Sequence, residues 1–152
     1  MNQFSFTKRM NMNNTQSSKK EKMDSWTVLL VDDSKMFREI TTQFLSYYPY
    51  LHIIGEAEDA ISGYQKAMVL RPDIILLDWE MPGKMGAEIV PELQVTLPEA
   101  KVIVLTLMNN RMYRRHALAM GADAFVPKSQ LVSDLIPAIH QAMVPDSSQS
   151  EM

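Results

Sequence analysis

Three stretches of the chain are apolar without interruption, and each runs into a polar residue. Residues 27–31 (T-V-L-L-V) lead to Asp32 and Asp33, residues 74–77 (I-I-L-L) to Asp78, and residues 101–105 (K-V-I-V-L) to Thr106. An unbroken apolar run bounded by turn signals is the pattern of a strand buried on both faces; a half-exposed strand would alternate. Two shorter runs complete the set. Residues 52–55 (H-I-I-G) form a second strand, and residues 124–126 (A-F-V) a fifth, followed by Lys128.

Between the runs the apolar period changes to helical. Ser34 caps a first helix with Phe37, Ile40, Thr41, Phe44 and Tyr48 inward, and Pro49 stops it. Asp59 caps a second, with Ile61, Tyr64 and Met68 inward, ended by Arg71-Pro72. A third spans about 87–95 with Pro91 in its first turn, and Leu97-Pro98 closes it. A fourth, about 110–120, turns Tyr113, Ala117 and Met120 inward and stops at Gly121. Ser133 caps a last helix holding Leu135, Ile136, Ile139 and Met143, with Pro137 in its first turn and Val144-Pro145 as its end. Strands alternating with helices five times predict an α/β fold: one doubly wound parallel sheet with helices on both faces.

Composition narrows the class. At 152 residues and 46% apolar, the chain is long enough for one ordinary domain and too apolar to be disordered throughout. The absence of cysteine excludes disulfides, thiolate metal sites and cysteine nucleophiles. No apolar run spans a bilayer and no signal core is present, so a soluble, cytoplasmic protein without membrane contact is expected. Residues 1–25 carry five basic and two acidic side chains, net +3, leaving −6 for the rest. They are polar and aperiodic and read as a disordered leader, with Met23 a candidate translation start; the ordered domain is 26–144, and 145–152 a disordered polar tail. The acidic body argues against direct contact with nucleic acid.

Chemistry gathers at the strand ends. In a parallel sheet Asp32, Asp33, Asp78, Thr106 and Lys128 fall at one edge, the edge where such sheets bind ligands. Three close carboxylates repel unless a cation holds them, and hard oxygen ligands select Mg²⁺, with Mn²⁺ possible. A metal, an ammonium and a hydroxyl around a carboxylate nucleophile are what receiving a phosphoryl group requires. One of these residues alone reads as a cap or turn; the set does not. His52, His116 and His140 lie on separate elements without ligand spacing, and the thirteen methionines read mainly as core filler.

Val31-Asp32-Asp33, Asp78-Trp79-Glu80-Met81-Pro82 with Gly86, Thr106, and the run from Gly121 to Lys128 (G-A-D-A-F-V-P-K) together resemble the receiver domain of bacterial two-component response regulators. The resemblance covers roughly residues 26–143. It implies a flavodoxin-like sheet of strand order 2-1-3-4-5 and phosphorylation of Asp78 by a histidine kinase or a histidine phosphotransfer protein. It implies Mg²⁺ on Asp33, Asp78 and the backbone carbonyl of Glu80, with Asp32 acting directly or through water. Thr106 and Lys128 would bind the phosphoryl group, and Phe125 would be the aromatic switch behind Thr106. The partner face would span about 110–143, with Arg111, Arg114, Arg115 and Phe125, and would serve a downstream protein or a phosphorylation-dependent homodimer. Such a domain is not a turnover enzyme, since it only takes up and slowly hydrolyses its own acyl phosphate.

Some positions depart from the family pattern. Leu107 stands where a small residue is usual and is expected to narrow the site. Ser129 replaces a proline, so a trans Lys128-Ser129 bond is expected. Glu80 and Met108 occupy positions that tune phosphoryl lifetime. About nine residues follow Met143, too few for a helix-turn-helix, so output is expected through another protein or phosphoryl relay. Alternatives are a degenerate receiver that docks partners without phosphorylation and a relay intermediate. An aspartyl phosphatase fits poorly, because its second aspartate would lie two residues after the first, whereas Asp32 and Asp33 are adjacent and Asp78 is followed two later by Glu80; a flavin or dinucleotide binder fits poorly, because Asp32-Asp33-Ser34-Lys35 is no phosphate loop.

Overall fold

The computed structural model describes residues 25–81 and 86–144. The expected leader and tail, and Pro82 and Gly83 of the turn after Asp78, lie outside the described residues. Five strands, β1 (Trp26–Val31), β2 (Leu51–Ala57), β3 (Ile74–Asp78), β4 (Lys101–Thr106) and β5 (Ala124–Pro127), alternate with five helices. These are α1 (Lys35–Leu45), α2 (Ala60–Leu70), α3 (Val90–Thr96), α4 (Arg111–Ala119) and α5 (Leu131–Met143). The sheet is parallel in all its pairings and ordered β2-β1-β3-β4-β5, as expected.

The unbroken apolar runs are explained by two cores. Leu29, Val31, Ile75, Leu77, Val102, Val104 and Phe125 face one side, with Ala60, Ala67, Leu93 and Ala117 from α2, α3 and α4. Their neighbours Val28, Leu30, Ile74, Leu76, Ile103, Leu105 and Val126 face the other, with Leu45 from α1 and Leu131, Leu135 and Ile139 from α5. Strand side chains alternate, so a strand covered on both faces must be apolar at every position. β3, at the centre, is buried throughout.

Local signals set the helix ends. Ser34 Oγ accepts from the Phe37 N–H at 3.1 Å, and Asp59 Oδ1 accepts from the Ser62 N–H at 2.7 Å. Gly121, at φ 112°, ends α4 in a conformation that side chains resist. Pro91 lies in the first turn of α3, as expected, although a 3₁₀ turn, Gly86–Ile89, precedes that helix.

The structure corrects several helix faces. Ile40 and Ile61, expected inward, are exposed. On α1 the buried line runs through Thr41 and Leu45. On α2 the buried residues are the small Ala60, Gly63 and Ala67. A Cβ on Gly63 would sit 2.7 Å from Val31 Cγ1, so small residues set the close approach of α2 to the sheet and Ile61 is turned away. The last helix starts earlier than expected. A 3₁₀ turn, Lys128–Gln130, winds directly into α5, so Ser133 is inside the helix and Pro137 lies beyond the first turn. Ser133 Oγ instead bonds the Gln130 carbonyl and Asp134 Oδ1. Burial of Leu131 fixes the earlier start, and Pro137 is tolerated on the exposed side, where water reaches the carbonyl it leaves free. Among the described residues no peptide bond is cis, Lys128-Ser129 included. No helix among them is long and apolar enough to cross a membrane.

One glycine ties the fold to the chemistry. A Cβ on Gly86 would fall 2.1 Å from the backbone carbonyl oxygen of Asp78. Gly86→Ala is therefore expected to cost about 1–3 kcal/mol, as other overpacking changes do. Urea unfolding checks this; an unchanged midpoint would show that the turn after Asp78 can move aside freely.

Candidate functional site

All five expected side chains meet at the carboxyl edge of the sheet. Asp32 and Asp33 follow β1, Asp78 and Thr106 end β3 and β4, and Lys128 follows β5. The three carboxylates offer oxygens that lie within 4.8 Å of one another. Asp32 and Asp78 are buried, 4% and 3% exposed, and Asp33 is open to solvent.

The β1–α1 loop holds Asp32 in place. Its Oδ1 accepts from the Ser34 N–H at 2.8 Å, and its backbone carbonyl accepts from Arg38 Nη1 at 2.6 Å. Arg38 also faces Glu56 at 3.7 Å. The Lys128 ammonium lies 2.7 Å from Asp32 Oδ2 and 3.6 Å from Asp78 Oδ1, and 4.3 Å from the centre of the Phe37 ring. The short contact to Asp32 is an ion pair outside hydrogen-bond geometry, so Asp32 Oδ2 is buried without a hydrogen-bond partner.

Charge is unbalanced here. Among the described residues, two buried carboxylates and an exposed one share a single ammonium. Burial first, and the Asp32 charge second, push the Asp78 carboxyl up to about 7; Lys128 pulls the other way. A hydrogen bond from the side of Asp33 adds to the rise, and the Glu80 N–H, 3.3 Å from Asp78 Oδ1, opposes it. The donor set fits a small, hard divalent cation. It is all carboxylate, and its oxygens converge within reach of one ion.

Thr106, fully buried, donates to Glu80 Oε1 at 2.5 Å and accepts from the Met108 N–H at 3.0 Å. The hydroxyl therefore points to Glu80 rather than to Asp78. Leu107 is 74% exposed, and Met108 is exposed too. Leu107 lies just beyond the end of β4, its side chain in solvent next to the site's Thr106. Phe125 is 6% exposed and part of the core. It stands inward, so it supplies no partner surface in this conformation, in contrast to the expectation. Arg111, Arg114 and Arg115 are exposed on α4. His116 of the same helix packs edge-on against Trp79, with ring centres 5.6 Å apart.

Sequence reasoning missed Arg38, Phe37 as the ring beneath Lys128, and the bond from Thr106 to the Glu80 side chain. Each partnership spans loops that adjoin only after folding. The sole local signal was the spacing of Arg38, on the first helix, from Asp32.

Comparison with known proteins gives a consistent picture. Residues 28–140 match the family model described as the response regulator receiver domain. The nitrate/nitrite response regulator protein NarL of Escherichia coli K12 is 35% identical over 125 residues, covering 82% of this chain and 58% of that protein. The oxygen regulatory protein NreC of Staphylococcus epidermidis is 29% identical over 113 residues, covering 74% and 52%. The chain thus spans a little over half the length of these curated relatives. Among solved structures, a LuxR-family two-component response regulator from Aurantimonas superposes with a TM-score of 0.75 at 26% identity, covering 82% of this chain and 94% of that one. The response regulator domain of Thermotoga maritima CheB gives 0.73 at 28%, covering 80% and 98%. The chain belongs to the response regulator receiver domain family.

Proposed function

We propose that Asp78 accepts a phosphoryl group from a histidine kinase or a histidine phosphotransfer protein. The observation that carries this reading is the placement of a buried carboxylate between a second carboxylate, an ammonium and a hydroxyl-bearing strand end. An Asp78 carboxylate oxygen attacks phosphorus, a P–O bond forms, and the P–N bond of the phosphohistidine breaks with its electron pair leaving on the imidazole. Lys128, already 3.6 Å from Asp78, is placed to pair with phosphoryl oxygens. Thr106 supplies a hydroxyl from the next strand. Asp33, Asp78, the Glu80 backbone carbonyl and Asp32, directly or through water, would hold Mg²⁺ or Mn²⁺. When bound, the ion supplies positive charge to the carboxylates and to the phosphoryl oxygens.

The output follows as a shift between two populations of the α4, β5 and α5 face. Arg111, Arg114 and Arg115 lie on it, and it serves a downstream protein or a second copy of the chain. Phe125 belongs to that switch as a buried ring behind Thr106. The body is cytoplasmic and does not itself touch nucleic acid or membrane. It is no turnover enzyme: uptake and slow loss of its own acyl phosphate are its only chemistry.

Incubation with Mg²⁺ and acetyl phosphate should add one base-labile phosphoryl group to the full chain, read by intact mass, and none to Asp78→Asn. If neither acetyl phosphate nor a panel of histidine kinases modifies the parent, the protein is a docking module independent of phosphorylation.

The raised Asp78 carboxyl sets a pH dependence. Between about pH 4 and pH 7 the folded chain keeps a proton that the unfolded chain has released. Stability from this group is full below that window and is lost as pH rises through about 7. Without metal at pH 8, Asp78→Asn should therefore melt about 4 °C or more above the parent, with a smaller gain at pH 5. Mg²⁺ should raise the parent's melting temperature more at pH 8 than at pH 5, and Asp33→Ala should lose that gain. A metal response independent of pH would contradict the assignment.

A further inference from the structure

The Thr106 hydroxyl is already fully engaged. A hydroxyl has one proton, and Thr106 gives it to Glu80 Oε1 at 2.5 Å while accepting from the Met108 N–H at 3.0 Å. Held so, it has no proton to offer a phosphoryl oxygen on Asp78. We propose that the Glu80 side chain is a latch that holds Thr106 away from Asp78 and sets how readily the protein switches. This rests on the reading of Asp78 as the phosphoryl acceptor.

Glu80 touches both ends of the switch. Its N–H reaches Asp78 Oδ1 at 3.3 Å, and its carboxylate takes the Thr106 proton. Hydrogen bonds to a charged acceptor are roughly twice as strong as neutral ones, so the latched state is favoured while Asp78 is unmodified. A phosphoryl group changes the balance twice over. It replaces a carboxylate of at most one negative charge with an acyl phosphate of about −1.5 to −2 beside the Glu80 carboxylate, which repels that side chain. It also competes for the same hydroxyl proton.

Release has a path to the surface. The Met108 N–H that binds Thr106 lies in the loop that ends at Asn110, whose side chain caps α4 by accepting from the Met112 N–H. Moving Thr106 away from Glu80 breaks or redirects the Met108 contact, and with it the approach to α4. Glu80 is thus a positioning residue that acts through Thr106.

The latch and a simple repelling charge make different predictions. Full-chain protein in saturating Mg²⁺ is titrated with beryllofluoride by calorimetry, as parent, Glu80→Gln, Thr106→Val and the double variant. Glu80→Gln keeps the shape and removes the charge. It should tighten beryllofluoride binding on the order of tenfold, the scale of one hydrogen bond to a charged group. In the Thr106→Val background the same change should alter affinity by less than about twofold, because no hydroxyl remains to be released. Thr106→Ser keeps the hydroxyl and should restore the full Glu80→Gln effect. Equal effects in both Thr106 backgrounds would overturn the latch and leave Glu80 as a repelling charge only. No tightening in Glu80→Gln, with the parent binding normally, would overturn the latch and leave the acceptor reading standing. Failure of the parent itself to bind beryllofluoride would remove the acceptor reading, and the latch with it.

Discussion

The structure turns on an excess of negative charge at the carboxyl edge of the sheet. Asp32 and Asp78 are both buried, Asp33 stands beside them, and among the described residues only Lys128 opposes them from within 4 Å. Like charges at this distance cannot all ionise cheaply away from water. The protein answers by raising Asp78 toward neutral pH and by leaving an oxygen of Asp32 without a hydrogen-bond partner. The raised Asp78 carboxyl marks a demand for positive charge that Lys128 leaves unmet. A divalent cation meets part of it, and a phosphoryl group on Asp78 redistributes the rest across Lys128 and Thr106.

The scaffold exists to hold that conflict in place. Parallel strands put every carboxyl end at one edge, and cores on both faces keep those ends fixed. At the opposite edge, carboxylates do quieter work: Asp73 Oδ2 accepts from the Thr27 N–H, and Asp123 Oδ2 from the Val102 N–H. The same residue type therefore serves as a strand cap at one end and as the reactive group at the other. The difference is environment. Asp73 and Asp123 have hydrogen-bond donors of the neutral backbone, whereas Asp78 has another buried carboxylate as its neighbour.

Much of this was legible in the sequence because the underlying constraints are local. An apolar run on both strand faces needs no knowledge of its neighbours, so β1, β3 and β4 and the residues at their ends could be placed directly. Caps at Ser34 and Asp59 depend on contacts three residues away. What was not legible depends on which face of an element meets another. Ile40 and Ile61 have the right residue type for a core, yet α1 buries Thr41 and Leu45 instead, and the close packing of Gly63 on Val31 turns α2 by its small residues. Ser133 has the right type for a cap, but burial of Leu131 starts α5 three residues earlier. The bond between Glu80 and Thr106 joins residues 26 positions apart, and no spacing rule announces it.

The most direct measurement is the titration of the Asp78 carboxyl carbon by NMR in protein labelled at aspartate, with Asp78→Asn to assign the signal. The account predicts a midpoint near 7 without metal, falling well below that in saturating Mg²⁺ as the ion takes the place of the proton. A midpoint near 4 in the metal-free protein, or one that Mg²⁺ leaves unmoved, would contradict the claim that buried like charge is what makes this edge of the sheet reactive.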